Sequence, residues 1–355
     1  MEREKELILK LDSLHRLETE EWEELIRCRD DDVAEFAAEL ARKHSREIFG
    51  NQIYTRGLIE ISNYCKNNCY YCGIRRDNSS VERYRLTREQ IIECAGIGYE
   101  LGFRTFVLQG GEDGSFTDEF MCDVIGEIRK NHPDCAITLS LGERSEKSYR
   151  LMYEAGANRY LLRHETADSA HYRKLHPEEM SFENRIRCLY TLKEIGYQVG
   201  CGFMVGSPGQ TESCLVKDME LITDLQPEMV GIGPFVPHHA TPFAREPGGT
   251  VKQTLFLLSL IRILKPDVLL PATTALGTID PKGREKGIMA GANVLMPNLS
   301  PTDYRKQYEL YDNKICTGDE AAECRVCLAN RVSAIGYEIV TSRGDAPGWT
   351  QKENN

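Results

Sequence analysis

Eight short apolar runs, separated by stretches with helical periodicity, limit the fold of this chain more than any other feature. The runs are GLIEIS, TFVLQ, AITLSL, RYLLRHE, QVGCGFMVG, MVGIGPF, DVLLPATT and ANVLMPN. Most of the stretches between them, for example FENRIRCLYTLKEIG, repeat apolar residues every three or four positions, as amphipathic helices do. Apolar strands that alternate with helices are typical of a parallel sheet with helices on its faces.

Eight strand–helix units favour one closed architecture. They predict an α/β fold of the (β/α)8 TIM-barrel type, whose usual length is about 250 residues; an open, doubly wound sheet is the structural alternative. Helical patterns before the first run predict an N-terminal helical extension over 1–50, with the barrel over 51–300 and a C-terminal extension over 301–355. The tail beyond Arg331 is polar and contains Gly and Pro, which predicts a loose terminus.

Charge and cysteine content restrict the partners and the compartment. A formal net charge of −11 argues against a nucleic-acid partner, since phosphate backbones are bound by basic surfaces. The first residues lack the apolar core of a signal peptide, and no stretch reaches membrane-spanning length, so we expect a cytoplasmic protein without a membrane partner. Of the 13 cysteines, six form two close triplets, which indicates metal chemistry in a reducing, anaerobic cytoplasm rather than disulfide bonds.

The first triplet, Cys65, Cys69 and Cys72, follows the first apolar run. Thiolates are ligands for iron–sulfur clusters or zinc, but a closed zinc site needs a fourth Cys or His, and the loop SNYCKNNCYYCGIRR contains none. A 4Fe–4S cluster held by three cysteines keeps one iron open. The C-x3-C-x2-C spacing, with Tyr71 before the last cysteine, resembles the signature of radical S-adenosylmethionine (SAM) enzymes. In that family the open iron binds SAM, and one electron cleaves it to methionine and a 5′-deoxyadenosyl radical.

Longer strings extend this resemblance. RYLLRHETAD, SFENR, MVGIGPFVPH, PATTALGT and ANVLMPN resemble the E-type radical SAM maturases of FeFe hydrogenase, over about residues 53–330. Biotin synthases and methylornithine synthases share the barrel and the shorter motifs. The segment QGGED follows the second run, where its glycines allow the backbone to approach a ligand closely.

Carried over to this chain, the resemblance implies three groups of site residues. The cluster ligands are Cys65, Cys69 and Cys72. The implied SAM contacts are Tyr71, Gln109, Gly110, Gly111, Glu112, Glu165, Arg185 and Met229. The implied cavity for a small anionic substrate contains Thr138, Ser140, Arg163, Thr273, Thr274 and Tyr308. Two structural alternatives stay open: a surface salt bridge between Glu165 and Arg185, and a pairing of Arg163 with a nearby glutamate, such as Glu143, in place of an anionic ligand.

The resemblance also implies a reaction and partners. The radical from SAM would act on a small iron–cysteine complex with CO and cyanide ligands, building a precursor of the di-iron subcluster of the hydrogenase H-cluster. The implied partners are a tyrosine-cleaving radical SAM enzyme, a GTPase scaffold and a reductant protein, and the chain itself is expected to be a monomer. The alternatives are a related radical SAM enzyme that acts on a small amino acid or thioether, and a non-catalytic iron–sulfur carrier.

A second triplet, Cys316, Cys324 and Cys327, lies after the last run in ICTGDEAAECRVC. It resembles the auxiliary iron–sulfur site, 2Fe–2S or 4Fe–4S, that some members of the family have and others lack. Zinc or free thiols are alternatives of equal weight. The adjacent His238 and His239 are not expected to converge on one ion, which predicts a loop role near the barrel mouth.

Overall fold

The computed structural model describes residues 2–28, 30–316 and 321–350, with side chains from 325 onward in the last range. Its strands are β1 Gln52–Thr55, β2 Gly57–Ser62, β3 Thr105–Gly110, β4 Ala136–Ser140, β5 Arg159–Leu161, β6 Gln198–Cys201, β7 Met204–Val205, β8 Met229–Val230, β9 Gly233–Pro234, β10 Val294–Leu295 and β11 Glu338–Val340. Its helices are α1 Glu2–Leu14, α2 Thr19–Arg27, α3 Asp31–Phe49, α4 Arg88–Glu100, α5 Asp118–Asn131, α6 Glu146–Glu154, α7 Ser169–Leu175, α8 Phe182–Ile195, α9 Glu212–Leu225, α10 Val251–Leu264, α11 Thr274–Ile279, α12 Gly283–Met289, α13 Thr302–Arg305 and α14 Ala321–Ser333.

The central sheet closes on itself. Six strands form a parallel sheet in the order β2-β3-β4-β5-β6-β8. Parallel bridges from Met229 to Leu269 and from Pro271 to Val294 extend it, and β10 pairs with β1, which leads directly into β2. The predicted (β/α)8 barrel is therefore confirmed, and the open sheet is not the fold of this chain.

One of the eight predicted strands is reduced to isolated bridges. The run DVLLPATT contributes bridging positions at Leu269 and Pro271 but no strand. Pro271 has no backbone N–H to donate to a ladder. This position of the barrel wall is held by single hydrogen bonds, such as that from Val230 N–H to Leu269 O (3.1 Å).

Side-chain alternation along the strands gives the barrel a polar interior near its C-terminal end. Ile59 and Ile61 of β2 pack in the main apolar core, so Glu60 between them faces the opposite side, into the barrel. Glu60 is in register with Gln109 of β3, and Gln109 with Ser140 of β4. Polar side chains of neighbouring strands therefore meet where the strands end, which is where barrel enzymes place their sites.

Short polar side chains determine where the barrel helices begin. Thr87 and Gln90 form a capping box at the start of α4. Five other barrel helices begin after a hydroxyl that accepts a backbone N–H, namely α5 (Thr117), α6 (Ser145), α8 (Ser181), α9 (Thr211) and α10 (Thr250). These caps tightly define the short loops that follow the strands.

The N-terminal helical extension is present as α1–α3. Helix α2 packs on α9, while α1 and α3 pack on α10, with Trp22 and Leu25 buried. Helix α10 is apolar on nearly all sides because α3 covers the face that barrel helices usually expose. None of the helices in the described ranges combines the length and the hydropathy that a membrane span requires.

The expectation of a loose terminus beyond Arg331 is wrong for the described residues. Strand β11 pairs in parallel with β1, and the segment after it covers the N-terminal end of the barrel. There the fully buried Arg159 contacts Asp345 (Nη2–Oδ1, 2.8 Å), and Gln198 donates to the same oxygen (2.6 Å). A buried charge requires a partner, so this polar tail is ordered by the arginine that it neutralises.

Candidate cluster and cofactor site

The first cysteine triplet lies on the loop between β2 and α4, at the C-terminal end of the strands. One guanidinium organises this loop: Arg83 donates hydrogen bonds to the backbone carbonyl groups of Asn63, Ile74, Arg75 and Asn78. Carbonyl groups that share one cation are held in fixed positions, so the loop is shaped by the protein itself. Sequence reasoning did not assign a role to Arg83. The available signal for such a role was its charge in a stretch without a helix or strand pattern.

The three thiols are half-buried and form a group that a positively charged metal centre would stabilise. Burial raises the pKa of Cys72 to about 12, and the neighbouring Cys65 adds to this. Burial also raises the pKa of Cys69 well above its ordinary value, with Cys72 and Cys65 as the next causes. Three thiolates therefore require a cationic centre between them. Because the loop supplies three sulfurs and no fourth Cys or His, this donor set fits a 4Fe–4S cluster with one open iron.

The glycine pair of QGGED packs directly against the cysteine loop. A Cβ on Gly111 would lie 2.2 Å from Tyr64 O and 2.7 Å from Cys65 Cβ. The Glu112 N–H donates to Cys65 Sγ (3.4 Å), and the Glu112 carbonyl accepts from Lys66 N–H (2.9 Å). Glycine is thus required by close approach, and the segment is attached to the first thiol of the triplet.

Replacing Gly111 by alanine is expected to lower cluster occupancy, because the new methyl group has no free volume against the Tyr64 backbone. Overpacking of this kind costs about 1–3 kcal/mol, and here the strain acts on the segment that carries Cys65. Iron and sulfide content after reconstitution measures the effect. Gly114→Ala is the matched control, since nothing lies within 4 Å of a Cβ at Gly114; equal iron content in the two variants would contradict the prediction.

Arg185 and two carboxylates form a buried ion cluster beside the loop. Arg185 Nε contacts Glu143 Oε1 (2.5 Å), and Arg185 Nη2 lies 3.7 Å from Glu112 Oε1. Arg185 Nη1 donates to the carbonyl of Arg163 (2.8 Å). With Arg185 only 7% exposed, the alternative of a surface salt bridge to Glu165 is wrong. Arg163 does pair with a nearby glutamate, as the structural alternative held, but the partner is Glu165 (Nη2–Oε2, 3.2 Å), since Glu143 is taken by Arg185.

Glu165 has a buried carboxylate oxygen that forms an ion pair but no hydrogen bond. Its φ of 66° is left-handed, a strained conformation for a residue other than glycine. Hydrogen bonds from Glu165 N–H to Gly202 O (3.0 Å) and from Met204 N–H to Glu165 O (3.3 Å) hold it there. Glu165 Oε2 lies 3.2 Å from Arg163 Nη2, yet it has no hydrogen-bond partner among the described residues. A free acceptor on a strained backbone fits the hydroxyl groups of a ligand.

Several polar atoms inside the barrel lack partners within the described part of the chain. They are Oγ1 of Thr138, Oγ1 of Thr273, and Nε and Nη2 of Arg163, all buried. Tyr308 is 2% exposed, and its hydroxyl oxygen accepts from Gln109 Nε2 (3.3 Å). Unpaired buried donors cost free energy unless a ligand or water pairs with them. The interior therefore fits a small polar anion.

Ser140 ends β4 in the same register layer as the interior residues of β3. Thr274, at the start of α11, lies towards the rim, where its Oγ1 is 3.5 Å from Arg284 Nη2. Sequence reasoning missed a buried ion pair nearby, in which Lys314 Nζ contacts Glu60 Oε1 (2.5 Å). The available signal was Glu60 itself, because a charged residue within an apolar strand requires a partner.

Met229, one of the implied SAM contacts, begins β8 in register with Gly200 of β6. Its sulfur accepts a hydrogen bond from Arg56, and its side chain packs in a cluster with Phe49. A contact between Met229 and SAM stays a prediction. Met204 of β7, which sequence reasoning did not assign to SAM, belongs to the apolar cluster against which Tyr71 packs.

The second triplet lies beside α12 and α14. Cys316 Sγ is 3.4 Å from Arg284 Nη2, and Cys327 of α14 is exposed. The side chain of Cys324 lies outside the described residues, and metallation of this triplet stays a prediction.

The two adjacent histidines approach Asp312 but do not form a metal site. Ligand atoms of His238, His239 and Asp312 lie within 4.8 Å of one another, which is close enough for a shared ion. However, the Ala240 N–H donates to His238 Nδ1 (3.0 Å), so Nε2 carries the proton of the neutral ring and cannot bind a metal. His239 Nδ1 lies 2.7 Å from Asp312 Oδ1. The group is a hydrogen-bonded loop contact.

Comparison with known proteins decides the family. A model described as the radical SAM superfamily matches residues 59–222. The [FeFe] hydrogenase maturase subunit HydE of Thermotoga maritima is 46% identical over 328 residues, which cover 91% of this chain and 93% of that protein. The chain belongs to the HydE family. Membership confirms the resemblance and makes the chain a radical SAM enzyme with a 4Fe–4S cluster and SAM as cofactors, which excludes the carrier alternative.

More distant relatives share the fold with this HydE-family chain. The 3-methylornithine synthase of Methanosarcina acetivorans is 30% identical over 289 residues, covering 81% of each protein. A crystal structure of methylornithine synthase matches with a TM-score of 0.82 and 26% identity, over 94% of this chain and 97% of that chain. The barrel and its extensions are therefore common to both groups, while the higher identity to HydE separates the chain from the methylornithine synthases.

Proposed function

We propose that this chain takes part in assembling the H-cluster of FeFe hydrogenase. Its substrate is a small anionic iron–cysteine complex that carries CO and cyanide, and its product is a precursor of the di-iron subcluster. The similarity to the HydE maturase supports a role in this assembly process. The observation that carries the substrate class is the closed barrel interior, where Thr138, Thr273 and Arg163 have buried donors without hydrogen-bond partners among the described residues.

Named side chains would hold the cofactors at the mouth of the barrel. Cys65, Cys69 and Cys72 would hold the cluster, the backbone next to Glu112 would contact the amino end of SAM, and Glu165 Oε2 would accept from ribose hydroxyl groups. When bound, the two cofactors supply reductive cleavage of SAM to a 5′-deoxyadenosyl radical. The closed wall excludes water and stray hydrogen donors from the interior.

Arg163 would give the interior its preference for an anion. Its contact with Glu165 at 3.2 Å lacks hydrogen-bond geometry, which leaves Nε and Nη2 available for a ligand. A guanidinium can donate two parallel hydrogen bonds to a carboxylate, as the cysteine part of the substrate presents. The hydroxyl groups of Thr138 and Thr273 add donors without adding charge.

The second triplet, Cys316, Cys324 and Cys327, is proposed to hold an auxiliary iron–sulfur cluster. The contact of Cys316 Sγ with the Arg284 guanidinium (3.4 Å) supports a negatively charged centre there. Because this triplet lies apart from the QGGED segment, we expect it to be dispensable for SAM cleavage.

A closed barrel requires partners for delivery and removal of its substrate. We propose a tyrosine-cleaving radical SAM enzyme as the supplier of the iron–cysteine complex and a GTPase scaffold as the acceptor of the product. A reductant protein would supply electrons to the cluster. The chain is proposed to act as a monomer.

Anaerobic turnover tests the proposal. Protein that has been reconstituted with iron and sulfide and then reduced is expected to release 5′-deoxyadenosine from SAM and to convert the iron–cysteine complex, and Cys327→Ala should retain SAM cleavage. Small amino acids and thioethers are the competing substrates, and turnover of one of these in place of the complex would refute the proposed substrate. Cluster binding without SAM cleavage, in the presence or absence of the complex, would refute the mechanism.

Removing the unpaired hydroxyl groups should affect binding and stability differently. We expect the double variant Thr138→Val, Thr273→Val to bind the iron–cysteine complex about 10-fold more weakly, because hydrogen bonds to a charged ligand are lost. Its thermal midpoint should not fall, since neither hydroxyl has a partner among the described residues. Thr105→Val is the matched control: Thr105 Oγ1 donates to Arg343 O (2.8 Å) at the other end of the barrel, so stability should fall while binding is retained. The reverse pattern would contradict the prediction.

A further inference from the structure

His164, directly before the strained Glu165, is held at both of its ring nitrogens. The Gly202 N–H donates to His164 Nδ1 (3.3 Å), so the ring proton lies on Nε2. Nε2 donates that proton to Asp218 Oδ1 (3.1 Å), and both side chains are 0% exposed. Because Asp218 belongs to α9, this contact links the end of a barrel strand to one of the helices that surround the barrel.

The same carboxylate oxygen also binds the chain on the other side of Glu165. The Ala167 N–H donates to Asp218 Oδ1 (2.6 Å). The preceding residue of α9, Lys217, contacts Asp168 (Nζ–Oδ2, 2.6 Å). Helix α9 therefore fixes the backbone both before and after Glu165. A fully buried carboxylate needs hydrogen bonds to offset its lost hydration, so the two donors are required by Asp218 itself.

The backbone of Glu165 needs such external support. Its left-handed φ of 66° costs free energy in a residue with a Cβ, and strain of this kind persists only where surrounding contacts impose it. Gly202 accepts from the Glu165 N–H (3.0 Å) and donates to His164, so both of its polar backbone groups hold this turn. Without the contacts to Asp218, an ordinary conformation of Glu165 becomes accessible, and the direction of its carboxylate changes.

We propose that Asp218, acting through His164 and the Ala167 N–H, is a positioning residue that holds the Glu165 carboxylate where it accepts from the ribose hydroxyl groups of SAM. The inference rests on the proposed function, in which Glu165 contacts the ribose. Asp218 is fully buried and bonds to the turn, so it affects SAM only through Glu165. Its removal should therefore weaken only those ligands that have ribose hydroxyl groups.

The test is equilibrium dialysis of the reconstituted protein without reductant, with SAM and with a SAM analogue that lacks the 2′- and 3′-hydroxyl groups. Asp218→Leu keeps the size of the side chain and removes the acceptor. It is expected to bind SAM about 10-fold more weakly, because hydrogen bonds to a charged group are lost, and to bind the analogue as the wild type does. Asp218→Asn keeps the accepting oxygen and replaces Oδ2, which has no hydrogen-bond partner among the described residues, so SAM affinity should be retained.

Two further variants separate positioning from loss of stability. Asp345→Ala removes a carboxylate that contacts the buried Arg159 at the other end of the barrel. As the matched control, it should lower the thermal midpoint and retain SAM affinity. The double variant Asp218→Leu, Glu165→Ala should bind SAM no more weakly than Glu165→Ala alone, because both changes remove one and the same interaction.

Each contrary outcome is distinguishable. Wild-type SAM affinity in Asp218→Leu overturns the inference, and so does an equal weakening of SAM and the analogue, which indicates a merely structural role. If Asp218→Leu does not fold, His164→Phe keeps a ring beside Phe203 (centroids 5.9 Å apart) and the Ala167 contact. It should show the same loss for SAM alone, and unchanged SAM affinity there overturns the inference.

These results leave the proposed function intact. Unchanged SAM affinity in Glu165→Ala would instead refute the proposed ribose contact, and the inference with it.

Discussion

Cys69→Ala is expected to abolish the release of 5′-deoxyadenosine from SAM, down to the level of a protein-free control. The loop supplies three sulfurs, and no other Cys or His lies within it to replace a lost ligand. Two thiolates cannot hold a 4Fe–4S cluster in the geometry that keeps one iron open. Quantification of 5′-deoxyadenosine under reducing, anaerobic conditions measures the loss, and iron content should fall with it.

A second cysteine variant separates loss of a ligand from loss of a thiol. Cys122→Ala removes a half-buried thiol from α5, away from the triplet, and should retain both iron and SAM cleavage. Wild-type release of 5′-deoxyadenosine by Cys69→Ala would show that the first triplet does not carry the chemistry.

Asp345→Ala is expected to lower the free energy of unfolding by about 3 kcal/mol, because it leaves the fully buried Arg159 without its carboxylate. Arg343 Nε also contacts Asp345 (2.8 Å), so the C-terminal seal should loosen with the same change. Chemical denaturation at pH 7 measures the loss. Glu146→Ala is the matched control: it removes an exposed ion pair with Arg150 (2.8 Å) and should cost less than about 1 kcal/mol. Equal losses in the two variants would contradict the prediction.

The same carboxylate predicts a pH dependence of stability. Burial alone would raise the pKa of Asp345, but Arg159 and the hydrogen bonds that it accepts lower it to about 2, from an ordinary value of 3.8. A lowered folded-state pKa contributes stability that is present above the unfolded value and is lost as the pH falls through the folded value. The difference corresponds to about 2 kcal/mol, so the wild type should lose stability towards pH 2 more steeply than Asp345→Ala. Parallel curves for the two proteins would contradict the assignment.

Much of the fold was predictable because its signals are local. Apolar runs and helical periodicity depend on neighbouring residues, and they correctly indicated the barrel and the α1–α3 extension. The failures involve longer distances or backbone chemistry. DVLLPATT has the composition of a strand, but Pro271 limits it to bridges. The polar tail is ordered because Asp345 meets Arg159, which is 186 positions away in the sequence.

The features of the site also divide into those that were predictable from the sequence and those that were not. The three cluster ligands lie on one loop, so the first triplet, and with it the family, could be recognised from the amino-acid sequence alone. The sequence did not show which polar groups contact each other in the folded protein. The sulfur of Met229 accepts a hydrogen bond from Arg56, 173 positions away in the sequence, and the strained backbone of Glu165 depends on hydrogen bonds to Gly202 and Met204.

By itself, then, the sequence determined a barrel-forming alternation of strands and helices and a three-thiol loop suited to an open iron–sulfur cluster. The tertiary structure alone decided that Tyr71 meets His176, 105 positions away, and that Lys314 meets Glu60, 254 positions away. It also decided that the hydroxyl groups of Thr138 and Thr273 are buried without hydrogen-bond partners among the described residues. The physical reason is barrel closure. Distant strand ends come together only when the whole ring has formed, and the free energy of each pairing depends on the burial that closure creates.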